Sequence, residues 1–137
     1  MVDDAALTDE NSAVVQLDRW PLLIVYSPAS MDEEALVRQL KLLGDVYDER
    51  KEPYVLILDA RSGRRPKARE RAIQTEFRER YEDHIKAYRK GMAIVTNSEL
   101  IKGVATAMFW LKKPDVATKF FTDFDEATEW AEQQLAN

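Results

Sequence analysis

Cysteine is absent from the 137 residues. That excludes disulfides, cysteine nucleophiles and thiolate metal ligation. There is a single histidine, His84, so neither a histidine pair at helical spacing nor an H-E-x-x-H metal motif can be built. Only four glycines occur. No G-x-G-x-x-G, Walker loop or G-x-S-x-G is present, which removes the usual backbone cradles for phosphate and the nucleophile elbow. No apolar run approaches the roughly 18 residues of a membrane-spanning helix. The opening Met1-Val2-Asp3-Asp4 is acidic, unlike the basic start of a secretion signal. The expectations are a cytoplasmic protein with no metal and no cofactor.

What is present is an ordinary globular balance. Apolar residues make up 45% and charged residues 33%, enough to bury one core without staples. Residues 1–11 are acidic and without periodicity, so they read as a flexible terminus ahead of one domain over 12–136.

Val14, Val15 and Leu17 mark a modest first strand, and Leu22–Tyr26 (LLIVY) a second that is apolar throughout. A continuous apolar run of this length fits a strand buried on both faces. The two strands are expected to form a hairpin around Arg19–Pro21. Ser30 and Glu33 have capping-box spacing, and Leu36, Leu40, Leu43 and Tyr47 follow on one helical face. Tyr54–Leu58 (YVLIL) is the third strand. Pro66 suits the first turn of a second helix, whose stripe is Ile73, Phe77, Tyr81 and Tyr88 and which runs to Gly91. Met92–Val95 is the fourth strand. A third helix spans Asn97 or Ser98 to Lys112, and Val116–Phe121 is the fifth strand. Asp123 and Glu126 cap a final helix with Phe124, Ala127, Ala131 and Leu135 on its face. Strands alternating with helices imply parallel pairing with crossovers. The fold class is therefore α/β: a five-stranded, mixed, mostly parallel sheet with about four helices and the first strand antiparallel at an edge.

Charge is unevenly spread. Arg61, Arg64, Arg65, Lys67, Arg69 and Arg71 face one acid, Glu70, over eleven residues, while the net charge of the whole chain is −5. A general nucleic-acid coat, which needs a broad basic surface, does not fit. A local anion or partner site does. The segment follows a buried strand and precedes a helix, the edge where open α/β sheets bind ligands. Cations in a helix's first turn oppose its dipole by about 0.3–1 kcal/mol each. A bound anion or an acidic partner would compensate for that, as would pairing with Asp59, Glu70 or the acidic last helix. The candidate binding residues are Arg61, Ser62, Arg64, Arg65, Lys67 and Arg69. Ser62 is also a candidate phosphorylation site, or simply a turn residue. His84, about five turns or 27 Å into its helix, reads as a half-buried structural histidine.

The third helix is apolar nearly all round at Val104–Leu111. Either its neighbours cover it, or Phe109 and Trp110 meet a partner or a second copy of the chain. Trp130 is assigned to the same candidate interface.

The leading strand pair, the alternation at Leu22–Tyr26, Tyr54–Asp59 and Met92–Val95, and the terminal FTDFDEATEW at Phe121–Trp130 resemble STAS-domain proteins of the SpoIIAA-like group. That resemblance implies a SpoIIAA-like (STAS-type) sandwich. Anti-sigma-factor antagonists of that fold carry a phosphorylated serine in a D-S-[ST]-G turn after the central strand. Here Asp59-Ala60-Arg61-Ser62-Gly63 stands nearby, without the doubled hydroxyl residues. The resemblance implies a non-enzymatic regulatory or binding role. The leading expectation is a module that docks a protein partner through turn 61–71 and the adjacent helix. The alternative is a small anionic or lipid ligand held by the same turn, and a hydrolase or other enzyme ranks last.

Overall fold

Leu22–Tyr26 and Tyr54–Leu58, the two continuous apolar runs, lie side by side and parallel, with Leu22 opposite Val55, and the pairing runs on to Tyr26 opposite Asp59. The computed structural model describes residues 15–27, 32–61, 67–97 and 116–137. Among them the element order is β1 (Val15–Gln16), β2 (Leu22–Tyr26), α1 (Glu33–Glu49), β3 (Tyr54–Asp59), α2 (Ala68–Arg80), α3 (Glu82–Tyr88), β4 (Arg89–Val95), β5 (Thr118–Phe121) and α4 (Phe124–Ala136). The sheet order is β1-β2-β3-β4-β5. Only β1 runs antiparallel, with Val15 opposite Val25. The expected mixed, mostly parallel sheet with an antiparallel edge is therefore the observed one.

Period-two alternation divides the core between the two faces of the sheet. Leu23, Val25, Tyr54 and Leu56 pack with Leu43, Val46 and Tyr47 of α1. Leu22, Ile24, Val55, Ile57, Ala93 and Val95 pack with Ala127 and Ala131 of α4. The predicted stripes hold on both helices: Leu36, Leu43 and Tyr47 are buried on α1, and Ala127 and Ala131 on α4. Asp123 caps α4 as expected, accepting from the Asp125 and Glu126 amides.

Several boundaries differ, among them the start of α2 at Ala68 behind a Lys67 cap, which leaves Pro66 ahead of the helix, and the start of β5 at Thr118 rather than Val116. The cap of α1 is Asp32, whose carboxylate accepts from the Ala35 amide at 2.8 Å; the expected cap Ser30 lies outside the described residues. The first strand is only two residues long, because the chain turns at 18–21 and Trp20 donates its amide to Leu17. The second helix is two helices, since Tyr81 leaves helical geometry at φ −105, ψ 17. Its ring packs edge-on against Tyr47, 5.4 Å between centroids, and that tertiary contact outweighs the helical propensity of the segment. The fourth strand begins at Arg89 rather than Met92. There the Arg89 side chain donates to the Tyr47 and Tyr54 hydroxyls and fastens the chain to β3. The expected third helix, with Phe109 and Trp110, lies outside the described residues.

Candidate functional site at the carboxyl edge of the sheet

Parallel strands bring their carboxyl ends to one edge, and the ends of β2, β3, β4 and β5 are stitched together there. The Ser27 amide donates to the Asp59 carbonyl, Ala60 to Val95, and Thr96 to Phe121. From α1, Gln39 donates its side-chain amide to the Tyr26 carbonyl at 3.0 Å. Gln39 and Thr96 are buried, and these bonds give both groups polar partners in an otherwise apolar setting. The edge is thus rigid before the basic segment starts.

Asp59 ends β3 and is only 4% exposed. A carboxylate so deep needs a partner, and Arg61 supplies it. Nε donates to Oδ1 at 3.0 Å and Nη2 to Oδ2 at 2.7 Å, while the Arg61 amide also donates to Oδ1. The fork-on-fork geometry is the strongest arrangement of this pair. It raises the guanidinium's already high pKa, chiefly through the hydrogen bond to Asp59. The Arg61 guanidinium carbon also stands 5.6 Å over the ring of Phe124, the first residue of α4. Arg61 therefore anchors the start of the turn to the sheet and to α4.

Lys67 and Arg69 are exposed at the start of α2. Arg69 pairs with Glu33 of α1 at 3.1 Å, an exposed ion pair of the kind that contributes little. Glu70 is buried, and its carboxylate accepts from the Lys67 amide at 2.8 Å. This acid complements the positive end of the α2 dipole from inside the protein. Ser62, Arg64 and Arg65 lie outside the described residues. The structure thus brings Arg61, Lys67 and Arg69 to the same edge. Trp130 stands elsewhere, half-buried on α4 with its ring 5.8 Å from Phe121 and against Gly91.

From the start of α2 a groove of about 480 Å³ runs between α1 and α2. Its apolar lining is Val37, Leu40, Ile73 and Phe77, with Arg69 and Glu33 at the end nearest the basic turn. Val37 is 50% exposed, the one large hydrophobic side chain so exposed among the described residues.

At the opposite, amino edge, sequence reasoning read His84 as structural and Tyr47 as core but did not single out Arg89 or join these residues into one cluster. Arg89, Tyr47, Tyr54 and His84 form one cluster there, His84 stacking on Tyr47 at 4.5 Å. The available signal was the placement of Trp20, Tyr54 and Tyr88, each next to the amino end of a strand. Among the described residues no group of three His, Asp or Glu side chains could hold a metal ion, and no helix is long and apolar enough to cross a membrane.

A solved structure shares this architecture: an uncharacterized protein of the DUF3478 family from Shewanella loihica PV-4, described as having a SpoIIAA-like fold. The match has a TM-score of 0.64 at 16% identity, and covers 93% of this chain and 90% of that one. The fold of this chain is therefore SpoIIAA-like. None of the curated proteins matches the sequence. A family model described as a domain of unknown function, DUF7793, matches residues 51–135, from the approach to β3 through nearly all of α4. That span includes the Asp59–Arg61 clamp and the whole basic turn, and with it the chain belongs to the DUF7793 family.

Proposed function

We propose that this chain is a non-enzymatic binding module that docks an acidic, partly apolar segment of a protein partner across the turn 61–71 and the α1–α2 groove. The observation that carries the reading is continuity: Arg69 lines the end of a groove whose apolar lining is Val37, Leu40, Ile73 and Phe77, with Lys41 and Arg80 as further cations beside Glu33, Asp45 and Glu76, and exposed Lys67 precedes Arg69 by two residues. An amphipathic segment with acids at one end satisfies both surfaces at once. The cations at the start of α2 oppose its dipole, a local cost that an acidic partner offsets. A small phosphate-bearing ligand fits less well, because it would meet the cations and leave the apolar lining of the groove uncovered. The enzyme reading has little support: Asp59 is engaged by Arg61, and His84 stands against Tyr47 and Tyr54 at the other edge. Ser62 is the natural switch in this scheme, since a phosphate would add about −2 charge to a surface that works by being positive.

The test is affinity capture followed by measured binding of whatever is retained, using the wild type, Arg64→Glu/Arg65→Glu and Val37→Glu. An acidic partner retained by the wild type and lost with both variants is expected. Equal retention by all three would overturn the reading. A stabilising shift with inorganic phosphate or acidic lipid vesicles, abolished by Arg64→Glu/Arg65→Glu, would reassign the turn to a small anion or a membrane headgroup.

A further inference from the structure

We infer a second binding site at the opposite edge of the sheet: a cleft beside Arg89 that takes a small monocarboxylate with an apolar body. The cleft has a volume of about 370 Å³ and lies between α2–α3 and the starts of β4 and β5. That is at the lower end of the range for small-molecule sites. Ile85, Met92 and Val116 supply apolar lining, and Arg89 lines it as well.

Arg89 is the reason to expect an anion. Its Nε donates to the Tyr54 hydroxyl at 3.4 Å and its Nη2 to the Tyr47 hydroxyl at 2.6 Å. Its guanidinium carbon lies 5.8 Å and 5.9 Å from the centroids of those two rings. Both acceptors are phenol oxygens rather than carboxylates, and burial pushes the Tyr54 hydroxyl further from ionising, with Tyr47 adding to the shift. No carboxylate pairs with Arg89 among the described residues. A guanidinium has five donors in a planar fork, and here the two hydroxyls take Nε and Nη2, while among the described residues Nη1 makes no hydrogen bond. A partly desolvated cation without a counter-ion is costly. A carboxylate on the free edge would make a bidentate pair, and its apolar body would lie along Ile85, Met92 and Val116.

The rim argues for one negative charge rather than two. Arg78, Lys86 and Arg89 face Glu79 and Glu82 in the lining, with Lys86 engaged by Glu82 at 2.9 Å, which leaves one positive charge for one carboxylate to balance and a dianionic phosphate to exceed. The site shares no residue with the turn 61–71 and stands whether or not that surface docks a partner.

Octanoate, below its micelle concentration, is the probe, with octanol as the uncharged control, against the full chain. Octanoate is expected to raise the melting temperature and to shift the Ile85, Met92 and Val116 methyl resonances; octanol is expected to do neither. Arg89→Met should weaken octanoate binding at least tenfold. Because Arg89 also braces two tyrosines, Val116→Trp provides an independent arm: it fills the cleft and leaves those hydrogen bonds in place, and binding should be lost. Arg64→Glu/Arg65→Glu should bind octanoate as the wild type does. No binding by the wild type, undiminished binding by Val116→Trp, or binding abolished by Arg64→Glu/Arg65→Glu would each overturn the site.

Discussion

His84 holds its Nε2 buried and without a hydrogen-bond partner in the protein, between Tyr47, Tyr54 and Tyr88 at 4.5, 5.7 and 5.1 Å. Burial pushes its pKa below the ordinary 6.5. Arg89 of β4 and Lys51 ahead of β3 push the same way, and Asp48 of α1 pushes back. A histidine depressed in the fold is neutral there and takes up a proton more readily when unfolded. Its contribution to stability is therefore complete above the unfolded value near 6.5 and declines as the pH falls below it. Urea midpoints measured from about pH 8 to pH 5 should fall below 6.5 for the wild type. His84→Phe keeps an aromatic ring in the stack and should flatten that fall. Parallel profiles for the two proteins would show that another group titrates. Arg61 makes the contrasting point at the same scale. It is a binding candidate by its place in the basic run, yet its fork is committed to Asp59, so its charge goes to holding the end of β3.

At the scale of elements, close approach decides what each helix tolerates. Gly91 lets α4 lie directly on β4: a Cβ there would stand 3.2 Å from both the Trp130 ring and Gln134. Gly91→Ala should destabilise the protein by about 1–3 kcal/mol, the usual range for overpacking, read as a lowered urea midpoint with an unchanged slope. Stability equal to the wild type would mean that Trp130 moves aside freely. The same scale shows which elements were legible in the sequence. Leu22–Tyr26 and Tyr54–Leu58 announced themselves because strands buried on both faces read as continuous apolar runs. Asp123 did so because an N-cap is a local device. The break at Tyr81 and the early start of β4 were hidden for the opposite reason. Tyr81, Tyr88 and Arg89 continue an acceptable helical pattern, and only contacts with Tyr47 and Tyr54, dozens of residues away, turn the chain there. The basic turn was legible by charge count. The cleft beside Arg89 was not, because its lining comes from α2, α3, β4 and β5 and no short stretch of sequence holds it.

Across the whole molecule the two faces of the sheet are covered unequally among the described residues. One face carries α1, with Phe77 and Tyr81 of the α2 region and Tyr88 of α3 against it. The other carries only α4, which lies over Leu22, Ile24, Val55, Ile57, Ala93 and Val95. Five of the six are aliphatic side chains larger than alanine, and exposing each costs about 1.5–3 kcal/mol. Their sum is comparable to the entire net stability of a domain this size, about 5–15 kcal/mol. The helix also supplies Phe124, over which Arg61 is held, so its loss reaches the carboxyl edge as well. A chain truncated after Asp123 should therefore lose its cooperative thermal transition and bind a hydrophobic dye while keeping much of its far-ultraviolet signal, as a core without one of its covers does. Calorimetry and dye fluorescence on the truncated and full chains would decide it. A cooperative transition surviving within a few degrees of the full chain would show that this face has another cover, and that the acidic final helix serves the surface rather than the core.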